Sequence, residues 1–294
     1  MARTKFLSLT AVAAAAMLSL SACSPSSSDS SGGSDAPAGG SENAGSTDSL
    51  RIGIKFDQPG LGFREGSNEP TGFDVDVARY VAQEMGVDES NIEWVQTPSA
   101  NRENALENEE VDMIFATYSI TDERKQRVAF AGPYFVAGQD LLVRADDDEI
   151  TGPDALDGKN LCSVTGSTSA QKIKDEYSSG VNLVEQGGYA ECVTYLESGQ
   201  VDAVTTDDII LAGLAGTEAN KGKFKVVGNP FSVERYGVGL NKENEMCQQI
   251  NDAIQKMKDS GDWQKSLEAN TEGTGYEADE ELNSGSDAEF ESCD

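Results

Sequence analysis

Two nine-residue segments decide the fold: LENEEVDMI at 106–114 and LESGQVDAV at 196–204, ninety positions apart. Each is typical of a helix end, a turn and a buried strand. From Leu50–Ile54, which predicts a strand, short β-rich runs alternate with helical periodicity, as in parallel sheets covered by helices. The repeat therefore predicts two similar α/β lobes. Chance similarity between two common helix–turn–strand units is the alternative explanation.

The ends of the predicted strands indicate where a ligand binds, because in open parallel sheets ligands lie beyond the carboxyl ends of the strands. Two of these ends are Thr117–Ser119 and Thr206–Asp208. A third follows the predicted strand 160–164, where Thr165–Ser169 opens a helix with free amide donors suited to an anion. Taken alone, this last turn is more often an ordinary helix N-cap.

The composition disfavours several classes of protein. The 294 residues include 22 Lys and Arg against 52 Asp and Glu, and the resulting formal charge of −30 repels nucleic acid. The absence of histidine removes Ser-His-Asp and Cys-His catalysis and His-ligated zinc or haem. The acidic C-terminal residues lack the spacing of an EF-hand loop. We therefore expect no nucleic-acid partner, no metal and no cofactor, and an enzyme is disfavoured.

The N-terminus carries the parts of an export signal in order. Two basic residues, Arg3 and Lys5, precede an apolar run from Phe6 to Leu20 that is short for a membrane span. The segment Leu20-Ser21-Ala22-Cys23 resembles a bacterial lipobox, in which the cysteine becomes the lipidated first residue of the mature protein. An ordinary secretory signal cut near Ala22 is the alternative.

These features predict a signal peptide over residues 1–22 and a lipid on Cys23. Residues 23–48 predict a flexible linker, because a Ser/Gly-rich stretch with no aromatic and no basic residue cannot bury a core. We therefore expect the protein at the extracytoplasmic face of the bacterial cell membrane, held there by its lipid anchor.

Three groups of residues form recognisable motifs. The most specific is Gly72-Phe73-Asp74-Val75-Asp76-Val77, followed by Val81, Ala82 and Met85. The others are Ser119–Arg124 with Phe130–Tyr134, and Val201–Val204 running into Asp207. Together they resemble the family 3 extracellular solute-binding proteins, which are the polar amino-acid receptors of ABC importers. Within the family, Lys55–Gly60 and Thr206–Ile209 are most similar to actinobacterial glutamate-binding lipoproteins.

The resemblance implies a periplasmic-binding-protein-like two-lobed α/β clamp with two hinge crossings. Its expected parts are a first lobe of residues 49–136 plus 243–275, a second lobe of residues 137–242, and an acidic tail of residues 276–294. The crossings are predicted near Phe135–Gly138 and Asn241–Glu243. A ligand would enter the open cleft, contact both lobes and stabilise the closed state, which signals to the permease.

An amino acid needs one partner for its carboxylate and one for its ammonium, because burying either without compensation is costly. The family places an arginine after Ser-Ile-Thr, which implies that Arg124 binds the carboxylate. The amides of Thr121 and Thr168 would help. A surface arginine beside Asp122 and Glu123 is the alternative.

The ammonium is expected to bind Asp207, supported by the hydroxyl of Ser119 and a carbonyl at Thr117. The adjacent Asp208 is the chief rival for this role.

A glutamate γ-carboxylate needs a cation close by, because distant charges are screened over about 8 Å at physiological salt. Lys55, at the carboxyl end of the first strand, is the best placed, and Arg64 is second. The alternative for both is a solvated loop position.

Beyond Cys23 four cysteines remain, an even number that favours disulfides in an exported chain. Three pairings are possible. Cys162 and Cys192 resemble a pair found in relatives, which leaves Cys247 with Cys293. The second pair would staple the acidic tail to the first lobe, and a solvated, disordered tail is the alternative.

The predicted function is a monomeric, membrane-anchored receptor that delivers L-glutamate, or a similar polar amino acid, to the permease subunits of an ABC importer. A glutamine- or aspartate-preferring receptor of the same type is the alternative. Some relatives with this clamp are dehydratases acting on cyclic acids, which the lack of histidine argues against. Ligand-sensing ectodomains are normally fused to a transmembrane segment, and none follows Leu50.

Overall fold

The computed structural model describes residues 49–177 and 180–293, so the predicted signal peptide, Cys23 and the linker lie outside the described residues. The strands are β1 (Leu50–Ile54), β2 (Asp57–Gln58), β3 (Gly62–Phe63), β4 (Ile92–Gln96), β5 (Met113–Ile114), β6 (Ala129–Ala137), β7 (Gln139–Arg144), β8 (Asn160–Val164), β9 (Asn182–Gln186), β10 (Ala203–Asp207), β11 (Phe224–Val226) and β12 (Glu234–Leu240). The helices are α1 (Phe73–Glu84), α2 (Arg102–Glu107), α3 (Asp122–Lys125), α4 (Thr168–Lys172), α5 (Tyr189–Glu197), α6 (Asp208–Gly216), α7 (Cys247–Ser260), α8 (Asp262–Thr271) and α9 (Glu280–Ser284). Within the described ranges, no helix is both long and apolar enough to cross a membrane.

Two five-stranded sheets organise the two lobes. The first has the order β4-β1-β5-β12-β6, and the second has the order β11-β7-β10-β8-β9. In the first sheet β1 pairs in parallel with β4 and β5, whereas β12 runs antiparallel to β5 and β6. In the second sheet β8 pairs in parallel with β9 and β10, whereas β7 runs antiparallel to β10 and β11. The predicted α/β architecture with two similar lobes is confirmed.

The repeated sequence segments adopt the same local structure in both lobes. The helices α2 and α5 each end two residues before a residue in the left-handed region, which is Glu109 (φ 56°) in one lobe and Gly199 (φ 74°) in the other. The next amides, those of Glu110 and Gln200, then bond to the carbonyls five residues earlier, at 2.8 and 2.9 Å. The chain turns sharply at both points and enters β5 or β10.

Helix α1 begins at the most specific sequence motif. Gly72 has φ 123°, and a Cβ at this position would lie 2.0 Å from the carbonyl oxygen of Leu61, so the turn requires glycine. The buried carboxylate of Asp74 accepts hydrogen bonds from the amide of Thr117 at 3.0 Å and from the hydroxyl of Tyr134 at 2.8 Å. The motif thereby fixes the backbone of Thr117, just beyond the end of β5.

The two crossings between the lobes lie at Gly138 and between Val226 and Glu234. The first separates β6 from β7, within the predicted range. The predicted second crossing near 241–243, and with it the assignment of 137–242 to the second lobe, is wrong. Residues 234–240 form β12, which pairs with β6 along most of its length and belongs to the first sheet. A return strand of this kind carries no local sequence signal, because its place depends on pairing with a strand about a hundred residues earlier.

The acidic tail is docked on the first lobe in the structure. The side chain of Asn283 accepts a hydrogen bond from the backbone amide of Val136 and donates one to the backbone carbonyl of Val136, both at 2.9 Å. The carboxylate of Glu291 accepts hydrogen bonds from Arg235 at 2.6 Å and Lys125 at 3.1 Å. Disulfides join Cys247 to Cys293 and Cys162 to Cys192. Residues 276–293 therefore form a tail that the second disulfide joins to the first lobe, and not the solvated, disordered tail that was the alternative.

Candidate functional site

The strand ends of the two lobes meet around a small space, which we call the cleft cavity. Its volume is about 10 Å³, roughly the space of one water molecule. The first lobe contributes Ser99, Arg102 and Thr117, and the second contributes Ser167, Thr168, Ser169, Tyr189, Thr206, Asp207 and Ile210. The lobes are therefore closed on each other, and they must separate to admit an amino acid.

Direct hydrogen bonds hold the closed lobes together. The carboxylate of Asp57 in the first lobe accepts the amide of Tyr189, the first residue of α5, at 2.9 Å. The hydroxyls of Ser119 and Thr168 lie 3.3 Å apart across the cleft. Because these contacts exist only when the lobes touch, they stabilise the closed state directly.

The carboxylate of Asp207 is buried at the end of β10 and lines the cleft cavity. One oxygen, Oδ2, accepts the hydroxyl hydrogen of Tyr236 from the other lobe. The other oxygen, Oδ1, is buried and has no hydrogen-bond partner among the described residues. Burial, followed by the charge of Glu234, raises the pKa of Asp207 well above its usual value. A cation entering the cleft would supply the missing partner.

The neighbouring Asp208 faces a different environment. Its Oδ1 accepts hydrogen bonds from the amide of Ile209 at 2.7 Å and from the tail hydroxyl of Tyr276 at 3.4 Å. It lines a separate cavity between the second lobe and the tail. Of the two rival carboxylates, the structure directs Asp207 into the cleft.

The side chain of Arg124 is buried at the mouth of the cleft, beneath a cavity of about 460 Å³ between α3 and α4. The hydroxyl of Thr121 caps α3 by accepting the amide of Arg124 at 3.2 Å. The guanidinium donates to the carbonyl of Ser119 at 2.6 Å and, across the cleft, to the carbonyl of Gly166 at 2.9 Å. Its Nε lies 3.2 Å from a carboxylate oxygen of Glu103. Arg124 is thus a buried group, not a surface arginine.

The predicted polar partners near the strand ends are brought together around the cleft. Thr117 lies in the left-handed region, with φ 43°. Its carbonyl accepts a hydrogen bond from Nη1 of Arg102 at 3.2 Å and therefore already has a partner in the closed state. The hydroxyl of Thr117 lies 3.2 Å from Oε1 of Gln58. Thr168 begins α4 at the opposite wall.

The two basic residues expected near the ligand side chain lie in different surroundings. Lys55 is buried, and its ammonium donates to the hydroxyl of Ser99 at 2.6 Å. Burial, followed by the charge of Arg102, lowers the pKa of Lys55 to about 7. Arg64 instead donates to the carbonyl of Asn68 at 2.8 Å and lies over the ring of Phe56. Neither of the two side chains lines the cleft cavity. Lys55 lines a separate cavity between the lobes, opposite Gly187 and Gly188, and reaches the cleft cavity only through its bond to Ser99.

Comparison with known proteins identifies the family. The model of the bacterial extracellular solute-binding proteins, family 3, matches residues 50–271. The chain belongs to this family. It is 46% identical to glutamate-binding protein GluB of Corynebacterium efficiens over 278 residues, which cover 91% of this chain and 90% of the relative. It is 33% identical to the ABC transporter glutamine-binding protein GlnH of Bacillus subtilis, with 87% and 93% covered.

Solved structures of solute-binding proteins have the same fold. An ancestral arginine-binding protein bound to glutamine matches with a TM-score of 0.70 at 34% identity, covering 76% of this chain and 97% of that chain. Together with the match to the family, this similarity confirms the predicted two-lobed clamp. The described cleft lies beyond the carboxyl ends of strands from both lobes, which is where open α/β sheets bind ligands.

Sequence reasoning missed one functional candidate of this solute-binding protein, Arg102. Its side chain is almost fully buried and lines the cleft cavity, where it lies 4.2 Å from the centre of the Tyr118 ring. A signal was present in the sequence. Arg102 lies three and four positions before Ala105 and Leu106, which are both buried, so the periodicity of α2 places the arginine on the core face.

Proposed function

We propose that this solute-binding protein is the receptor of an amino-acid ABC importer and that its ligand is L-glutamate. The observation that carries the proposal is the buried, unpartnered Oδ1 of Asp207, which lines the cleft cavity together with Arg102 of the first lobe. An α-amino acid supplies one cation and one anion on the same carbon, and a cleft with both complementary charges suits it.

The proposed ligand pose follows from these groups. The ammonium binds Oδ1 of Asp207, and the hydroxyl of Ser119 lies nearby as a further acceptor. The α-carboxylate binds the guanidinium of Arg124, replacing the carbonyl of Gly166 as the lobes open, with amides of Thr121 and Thr168 as further donors. Closure completes both sets of contacts, since Asp207 and Arg124 belong to different lobes.

The choice of glutamate rests on the relatives and on one buried cation. Two curated relatives at 46% and 45% identity carry the name glutamate-binding protein. The ammonium of Lys55 donates to the hydroxyl of Ser99, which lines the cleft cavity, and the carboxylate of a nearby ligand would favour the charged form of this lysine. Glutamine is the second candidate, because relatives at 33% and 39% identity are glutamine-binding proteins. Aspartate is the third candidate, since it also carries a side-chain carboxylate.

We further propose that a lipid on Cys23 holds the protein at the extracytoplasmic face of the membrane, with residues 23–48 as the tether. In this proposal a monomer delivers ligand to the permease and catalyses no reaction. Metabolic labelling with a radioactive fatty acid tests the anchor. The full chain should be labelled and the Cys23→Ser variant should not. Equal labelling of both would refute the lipid assignment.

Isothermal titration of the lipid-free protein against the common amino acids tests the ligand. L-Glutamate is expected to bind most tightly, with glutamine and aspartate weaker. A tighter complex with glutamine or with a basic amino acid would overturn the ligand assignment and leave the receptor role intact. A protein that binds no amino acid would overturn the receptor role itself.

A further inference from the structure

One turn of the first lobe touches two helices of the second lobe. This turn, residues 57–60, connects β2 to β3. The carbonyl of Gly60 accepts the amide of Phe73 at 3.0 Å, and the next carbonyl along the chain, that of Leu61, accepts the amide of Asp74 at 3.1 Å. Both amides belong to the first turn of α1. The 57–60 turn is therefore fixed to the first lobe and moves with it.

The first contact of the 57–60 turn is with α5. This helix begins after Gly188, which has no side chain to accept the free amides of its first turn. The carboxylate of Asp57 accepts the amide of Tyr189 from the other lobe, at 2.9 Å. A Cβ on Gly188 would overlap Oδ2 of Asp57, although the backbone of Gly188 (φ −150°) is extended and open to any residue. Glycine is therefore required here by the approach of the carboxylate and not by the path of the loop.

The second contact of the 57–60 turn is with α6. Gly213 is buried in the interior of this helix, where glycine is less favourable than alanine because it loses more backbone entropy. A Cβ on Gly213 would overlap the carbonyl oxygen of Pro59. Gly213 lines neither the cleft cavity nor the separate cavity at Lys55. Glycine at this position thus serves the close approach of the two lobes and not the helix itself.

Contacts between the lobes contribute to affinity without touching the ligand. A ligand is held by the closed state, so any contact that favours closure strengthens the binding of every ligand by the same factor. The contacts of the 57–60 turn join protein groups of one lobe to protein groups of the other. They should therefore slow the release of the ligand and leave the choice of ligand unchanged.

We propose that the 57–60 turn, Gly188 and Gly213 form a latch that determines how tightly the closed lobes hold any ligand. Asp57 is a positioning residue in this latch, because it holds the start of α5 and with it Tyr189, which lines the cleft cavity. The inference rests on the proposed function, since it concerns closure on an amino acid. It adds residues that determine affinity and not specificity.

Gly213→Ala is the decisive variant, because its methyl group meets Pro59 only when the lobes approach. Titration calorimetry should show glutamate and glutamine weakened by the same factor, about 5- to 150-fold, the range for overpacking a tight contact. Ligand dissociation in stopped-flow fluorescence should be faster by a similar factor, with association unchanged. Without ligand the variant should melt no lower than wild type, because alanine favours the helix once the lobes separate.

Three variants test the contact with α5. Asp57→Ala should weaken both ligands by about 2- to 30-fold, the range for loss of a helix cap. Asp57→Asn keeps a capping oxygen and should restore most of this loss. Gly188→Ala should weaken both ligands when Asp57 is present and add no further loss in the Asp57→Ala background, where the overlapping oxygen is gone.

Asp147→Ala is the matched control for Asp57→Ala. Asp147 is also half-buried, and its carboxylate accepts the amides of Glu149 and Ile150 at 2.9 and 3.1 Å, but both amides belong to its own lobe. This variant should leave both affinities within about twofold of wild type.

Affinities within about twofold of wild type in a folded Gly213→Ala protein would overturn the inference. Unequal losses for glutamate and glutamine would overturn it as well, because they would place these residues among the ligand contacts. If Gly213→Ala does not fold, the comparison of Gly188→Ala in the two backgrounds decides, and additive losses there would refute the latch. A wild-type protein that binds neither ligand contradicts the proposed function instead.

Discussion

Replacing Asp207 with Asn should weaken ligand binding and stabilise the unliganded protein at the same time. The substitution keeps the volume and an acceptor for Tyr236, but removes the charge that faces the ammonium. Losing one partner of a buried charge pair costs about 2–5 kcal/mol. Because burial raises the pKa of Asp207, the charged carboxylate that the ammonium needs is disfavoured in the unliganded wild type, which offsets part of the gain on binding. We therefore expect the lower half of the range, about 30- to 300-fold.

The stability effect has the opposite sign. A carboxyl whose pKa is raised in the folded state favours folding below its unfolded pKa and loses this contribution as the pH rises toward the folded value. At neutral pH, Asp207 of the wild type therefore either holds a buried proton or carries a poorly solvated charge. The neutral side chain of Asn pays neither cost. The unliganded Asp207→Asn protein should melt at a higher temperature than wild type at pH 7, and the difference should shrink as the pH falls toward 4.

Two measurements check this prediction: titration calorimetry with glutamate and glutamine, and thermal unfolding without ligand at several pH values. Asp208→Asn is the matched control, because this neighbouring carboxyl is also largely buried but bonds to Ile209 and Tyr276 outside the cleft. Its ligand affinities should stay within about tenfold of wild type. Loss of binding in Asp208→Asn but not in Asp207→Asn would refute the assignment of the ammonium site.

Three further predictions concern other parts of the molecule. Arg124→Ala should abolish binding of glutamate and glutamine alike, since both share the α-carboxylate; an affinity within about tenfold of wild type in calorimetry would contradict this. The pKa of Lys55 is about 7, because burial, Arg102 and Arg124 lower it and Asp57 and Asp74 counter them only in part. The carboxylate of a bound glutamate would raise this pKa, so Lys55 should take up a proton when glutamate binds near pH 8. Calorimetry in buffers of different ionisation enthalpy should show this uptake for glutamate but not for glutamine, and glutamate preference should fall as the pH rises above 7. Replacing Cys247 and Cys293 with Ser should lower the free energy of unfolding by about 2–4 kcal/mol in denaturant titration, with ligand affinity unchanged, because this bond closes a long loop away from the cleft.

The parts of the fold that the sequence predicted are those with a local cause. The repeated segments contain their own turn signal, since Gly199 readily adopts the left-handed conformation and Glu109 occupies the equivalent position. Helix α1 also has a local cause, because Gly72 allows the turn at its start and the apolar spacing of its residues gives one buried face. The strand β12 has no such cause, because its membership of the first sheet is decided by distant pairing with β6.

The same division explains which site residues were predicted. Arg124 and Asp207 lie at the ends of motifs, where the resemblance to a family points to them directly. Arg102 is the first residue of the short helix α2 and resembles a solvent-exposed arginine unless its spacing to Leu106 is considered. The position of Arg64 depends on the turn between β3 and α1, whose path brings its guanidinium to the carbonyl of Asn68 instead of the cleft.

The docked tail touches both sides of the hinge from outside the cleft. Asn283 binds the backbone of β6 just before the first crossing, while the hydroxyl of Tyr276 reaches Asp208 in the second lobe. Movement of the lobes therefore changes the surroundings of Tyr276 without any ligand near it. A fluorophore attached beside this tyrosine, for example at the exposed Glu277, would report opening and closing optically while leaving every ligand contact intact.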